Sequence, residues 1–173
     1  LINQHGTTAA KNLLALVPKA SQGDTLVSSP SNSLNRDQGV LKLDYYVSSA
    51  NHLSVTYFKE NATAMDPFAF GGSSIPGFGS IGQTGFQNAI VRDTHTFSPA
   101  LFNEFRASFH RRAQPGVVPI NNITPASLGL TGIIPDDAGA AGPPFVELWN
   151  SGIAWGNTYQ GPQARFDNTF QYI

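Results

Sequence analysis

The chain contains no cysteine and a single methionine, and Lys, Arg, Asp and Glu together make up only 12% of its 173 residues, against roughly 25% in an ordinary soluble domain. The missing cysteines exclude a disulfide scaffold and thiolate metal sites, and they fit an envelope or exported protein that avoids thiols. Scarce Lys and Glu argue against helices with salt-bridged outer faces. A formal net charge of −1 and the lack of any Lys/Arg cluster leave no basic field for a phosphate backbone, so no nucleic-acid partner is expected. No window approaches the ~20 apolar residues of a membrane-spanning helix, and no charged-then-apolar leader is present. A place in a membrane would therefore have to be taken by strands. The chain starts at Leu1 rather than Met, from which processing or a fragment is expected.

What is abundant is Gly, Pro, Asn, Ser and Thr, the residues of turns and polar loops. Residues 1–35 read as a loop with one short helix: Thr7 to Val17 has good helix formers, a Thr cap and Pro18 to stop it. The pattern then changes to period two. Gly39, Leu41, Leu43 and Tyr45 share one face, with Val40, Lys42, Asp44 and Tyr46 on the other. After Ser48-Ser49-Ala50-Asn51 a second run sets Leu53, Val55 and Tyr57 opposite Ser54, Thr56 and Phe58, giving a hairpin over about 37–60. A Gly/Ser/Pro/Phe-rich connection, about 61–86, is far longer than the usual 4–6 residues. The unit recurs over about 87–112, turning at Ser98-Pro99-Ala100, with Phe105, Ala107 and Phe109 on one face. A second long connection, about 114–144, leads to a third expected hairpin over 145–173, turning through Gly156 to Pro162.

Short turns on one side and long loops on the other are the arrangement of transmembrane β-barrels, whose alternate residues face lipid and lumen. The expected fold is all-β: about six antiparallel strands in residues 36–173, forming part of such a barrel. Tyr45, Tyr46, Tyr57, Phe58, Phe97, Phe102 and Trp155, near the ends of the expected strands, suit interface girdles; the alternative is that they are core aromatics of a soluble sheet.

Particular strings add to the pattern. Asn35-Arg36-Asp37-Gln38 followed by Leu41-Lys42-Leu43-Asp44-Tyr45 resembles an early barrel hairpin of TonB-dependent outer-membrane transporters, of the large type with a carboxypeptidase-regulatory-like N-terminal domain. Asn12 to Pro18, Asp66-Pro67-Phe68, Asp93 to Pro99 running into Asn103-Glu104-Phe105-Arg106, and Asp167-Asn168-Thr169-Phe170-Gln171 resemble that family in the same order. The resemblance covers most of the chain and implies a barrel wall in outer-membrane lipid, an internal plug, outer loops that grip a nutrient such as a glycan, peptide or metal chelate, and energy from the TonB complex. The plug, the TonB-contacting segment and the closing strand have no counterpart in these residues, and about six strands fall short of the roughly twenty-two of such transporters.

No catalytic constellation is legible, and an enzyme is not expected. His5, His52, His95 and His110 are widely separated, so no metal site is assigned, and no cofactor motif is present. Asp93, His95 and Ser98 lack a nucleophile elbow. The Gly71–Gly85 stretch lacks the Lys-Ser/Thr of a phosphate loop, and Asp136-Asp137 lacks the spaced oxygens of a calcium site. Asn61-Ala62-Thr63 and Asn122-Ile123-Thr124 match a glycosylation sequon that matters only in a eukaryotic secretory pathway. The candidate ligand-binding residues are the loop aromatics Phe68, Phe70, Phe78, Phe86, Trp149 and Trp155, whose faces suit sugars and peptides; hydrophobic packing of the loops is their alternative role. The competing function class is a processed β-rich surface subunit that self-associates through open strand edges into a filament or sheet.

Overall fold

The computed structural model describes residues 6–68, 72–133, 142–159 and 163–173. Phe70, His5 and Asp136-Asp137 lie outside them. Helix α1 (Thr8–Ala15) starts where expected: the Thr7 side chain accepts a hydrogen bond from the Ala10 amide at 3.3 Å, satisfying one free N–H of the first turn. Among the described residues eight strands follow, β1 (Ser33–Ser48), β2 (Asn51–Asp66), β3 (Ser80–Ser98), β4 (Leu101–Gln114), β5 (Val117–Pro119), β6 (Val146–Leu148), β7 (Ile153–Trp155) and β8 (Arg165–Tyr172), with a 3-10 turn at Ala126–Leu128.

The main sheet runs in the order β1-β2-β3-β4-β8, with β5 also on β3, and the sheet is not closed within this chain. Period-two sequence forms these strands, and two-residue turns join them. In both turns a serine caps the bend: Ser48 Oγ accepts from the Ala50 amide at 3.2 Å and Ser98 Oγ from the Ala100 amide at 3.3 Å. The Thr96 amide donates to the Ala50 carbonyl at 2.8 Å, which puts both turns at the same end of the sheet. The strands are longer than the sequence suggests. β1 and β2 have 16 residues each and β3 has 19, beyond the roughly 9–11 that cross a bilayer core. The expected loop 61–86 accordingly shrinks to the 13 residues between Asp66 and Ser80.

The expected third hairpin does not form. β6 and β7 fold on each other, pairing Val146 with Trp155 and Leu148 with Ile153. The bend between them is made by Asn150 and Gly152, both at φ 69°, a conformation those residue types tolerate best. β8 pairs with β4 instead, from Ala107 opposite Tyr172 to Gln114 opposite Arg165.

The chain divides into two compact units. One, residues 35–63, 83–115 and 164–173, is sheet alone, and none of its residues is buried. The other, residues 1–34, 64–82 and 116–163, holds every buried residue among those described. Its core is Ile75, Phe78 and Trp155, flanked by Leu14, Leu16, Val17, Leu26, Ile123 and Val146. Trp155 is 1% exposed, and its indole N–H donates to the Leu13 carbonyl at 3.0 Å, so its one polar group is satisfied. β7 is tied in by the Ser74 amide donating to the Ala154 carbonyl and the Ala154 amide donating to Ser74 Oγ, both at 2.8 Å.

Candidate functional site

Directly paired residues of an antiparallel ladder point the same way, so the register sorts side chains onto two faces. On one face β3 and β4 place Ala89 with Phe109, Val91 with Ala107 and Asp93 with Phe105, and β8 adds Phe166, Phe170 and Tyr172. Asn51 donates to Asp93 Oδ1 at 2.9 Å and lies 3.3 Å from His95 Nδ1, which puts the odd residues of β2, Leu53, Val55 and Tyr57, on that same face. The other face carries the ion pairs. Arg36 lies 3.6 Å from Glu60, Lys42 3.1 Å from Asp44, Arg92 3.6 Å and Arg106 2.7 Å from the shared Glu104, and Arg165 2.8 Å from Asp167. His52 Nε2 approaches Asp44 at 3.3 Å without hydrogen-bond geometry and stacks on Tyr46. These β1–β2 contacts join even residues to even, so Leu41, Leu43, Tyr45 and Val47 fall on the apolar face.

Every ion pair among the described residues is therefore on the polar face. The apolar face is exposed: Leu43 at 57% and Phe170 at 73% have no protein to cover them. In water such a surface would associate or aggregate. A hydrocarbon environment on one side and an aqueous channel on the other removes the conflict.

A family model for the outer membrane beta barrel domain matches residues 2–173. The chain belongs to this family. No curated protein and no solved structure matches it. As an outer-membrane β-barrel domain located in the bacterial outer membrane, the chain has its apolar face toward lipid and its ion-paired face toward the lumen. The resemblance to transporter hairpins is thereby placed at the level of the barrel.

The loop aromatics separate into three environments. Phe78, 3% exposed, and Trp155 sit in the loop-unit core and present no face to a ligand; burying two large rings outweighs displaying them. Trp155 is likewise no girdle residue. Trp149, 82% exposed, stands at the β6–β7 bend, and Phe68 is half-exposed beside Phe78, to which its backbone is bridged. Phe86 belongs to β3, not to a loop. It lies on the polar wall with the Arg112 guanidinium 5.8 Å from its ring centre and the His110 ring 6.2 Å away.

Sequence reading missed this last cluster, because β8 was expected beside the wrong strand. Register sets Arg112 opposite both Phe86 and Asp167, so two strands far apart in sequence complete one patch of wall. Its one local signal is the Arg111-Arg112 pair, of which only the second residue faces the lumen. Asp93 and His95 both contact Asn51, while Ser98 is engaged in the turn with Ala100, so these three side chains assemble no triad. Among the described residues no group of three His, Asp or Glu converges on a point.

Proposed function

We propose that this domain is wall and outer loops of a TonB-dependent transporter that takes up a nutrient such as a glycan, peptide or metal chelate. The observation that carries the reading is the division of labour in one chain. A wall of paired charges lines the lumen, and the long connections at one end fold into a unit with its own core. The transporter-like strings beginning at Asn35-Arg36-Asp37-Gln38 supply the specific family. In this reading the two-residue turns face the periplasm and the folded connections face outward, where Trp149 and half-exposed Phe68 meet ligand. Arg106 and Arg112 of the wall each leave a buried Nε–H without a hydrogen-bond partner. Such donors suit an acidic partner inside the barrel, whether plug or substrate. The domain performs no covalent chemistry.

The filament alternative has the open edges β1 and β8 in its favour. Adding strands in the plane of the sheet would still leave the apolar face uncovered, so membrane residence accounts for more of the molecule.

The test is uptake of labelled oligosaccharide, peptide and ferric-chelate mixtures by cells expressing the whole parent protein, with and without an uncoupler that collapses the proton gradient. The reading expects accumulation of one class that stops on uncoupling and weakens on Trp149→Ala. Accumulation indifferent to the uncoupler would point to a passive pore.

A further inference from the structure

The apolar face carries polar side chains in two places: Asn51, Asp93 and His95 near the two-residue turns, and a second group at the far ends of the strands. Toward the long connections, Lys59, Asn61 and Thr63 of β2, Gln83, Gly85 and Gln87 of β3, and Arg111 and Ala113 of β4 line an open groove of about 410 Å³. Its lining contains two cations, several amides and hydroxyls, and no carboxylate. Neither cation has a carboxylate partner among the described residues; Arg111 rests over the Phe166 ring at 5.6 Å. The floor is open because residue 85 is glycine: a Cβ there would make ordinary contacts with Asn61 Oδ1 at 3.6 Å, the Glu60 carbonyl oxygen at 3.8 Å and Ala113 Cβ at 4.0 Å. Lys59 also borders a second, more apolar hollow of about 270 Å³, lined by Gly39, Leu41 and Tyr57. A polar groove with two unpaired cations thus adjoins an apolar trough on a surface that faces lipid.

An unpaired cation pointing at hydrocarbon costs about 2–4 kcal/mol at mid-depth and little near the interface. Two of them beside hydrogen-bond donors at the same level call for an anion that arrives attached to an acyl chain. We propose that this groove binds the phosphate headgroup of an anionic lipid in the leaflet next to the long connections, with Lys59 and Arg111 holding the phosphate and the Gly39–Tyr57 hollow taking an acyl chain. The guanidinium suits bidentate capture of phosphate oxygens, the ammonium acts as a point charge, and the Asn61 and Gln87 amides reach sugar or phosphate oxygens. The lipid's own charge then removes the energetic objection to Lys59 and Arg111 on this face.

The whole parent protein, reconstituted in phosphatidylcholine nanodiscs carrying bis-phosphorylated lipid A, tests this by native mass spectrometry of retained lipid. Wild type is expected to retain lipid A and to release it at least about tenfold more readily as the K59Q/R111Q variant, the loss of charge-assisted contacts being worth on that order. Gly85→Leu, which fills the floor without touching a charge, is expected to do the same, while K59R/R111K retains the lipid. Arg165→Gln, on the opposite face, is expected to leave retention unchanged. Because wild type alone can be challenged with dephosphorylated lipid A, a variant that fails to fold does not blunt the test. Equal retention of the dephosphorylated lipid, or unchanged retention by both K59Q/R111Q and Gly85→Leu, would overturn the proposal. So would displacement by inorganic phosphate alone, which would mark a site for a free anion.

Discussion

The sheet and the loop unit answer to different solvents. In the loop unit the large apolar side chains turn toward one another, as Trp155, Phe78 and Ile75 do. In the sheet they turn away from the protein, as Leu43, Val55 and Phe170 do, and none of the residues of the sheet unit is buried. The same residue types are used with opposite sense. Hydrophobicity alone therefore says little about where a residue lies; its strand face and its neighbours decide.

Substitutions can break that comparison from either side. The largest effect is expected from Trp155→Ala, which removes a fully buried ring and its hydrogen bond to Leu13, at about 3–5 kcal/mol. Limited proteolysis should then cut the connections, while the heat-modifiable electrophoretic shift of the parent barrel persists. Loss of the shift as well would mean the two units do not fold separately. Val55→Arg on the lipid face should cost about 2–4 kcal/mol in urea unfolding from vesicles. Its neighbour Thr56→Arg, on the lumen face, should stay within about 0.5 kcal/mol. If both cost the same, the assignment of faces is wrong. Gly156→Ala should destabilise the loop unit by about 1–2 kcal/mol, since φ there is +100° and the Pro144 carbonyl already occupies the space of a Cβ. Hydrogen exchange at the Trp155 and Ala154 amides would read this locally. The smallest change is expected for Glu104→Gln, which releases Arg92 and Arg106 from a partly exposed pair and should move stability by about 1 kcal/mol or less.

The sheet was legible because β1 and β2 alternate cleanly: Leu41, Leu43 and Tyr45 against Lys42 and Asp44 is a statement about two sides that needs no tertiary information. The turn at Ser98-Pro99-Ala100 was legible for the same reason, since turn chemistry is local. What failed was long-range. Residues 145–155 read as one strand, although Asn150-Ser151-Gly152 is a turn sequence inside it. The partner of β8 is fixed by a register across some fifty residues, which composition does not encode. The fate of the loop aromatics was illegible too. A Gly/Pro-rich connection containing Phe78 or Trp155 looks like a display of rings until the segments that cover them are known. The lipid-side groove escaped notice because Lys59, Gly85 and Arg111 come from three strands and share no motif.

One feature of the loop unit bears on how this protein can change over time. Its core is built from three separate stretches of chain: Leu14, Leu16, Val17 and Leu26 before the first strand, Ile75 and Phe78 in the connection after β2, and Ile123, Val146 and Trp155 in the connection after β4. Exposed loops ordinarily drift one at a time, because an insertion in one is invisible to the next. Here a substitution at Ile75 alters the fit of Trp155 and Leu14 together, so variation at these positions should be correlated across homologues. The freedom to diversify is left to the tips outside the core, Trp149 foremost among them.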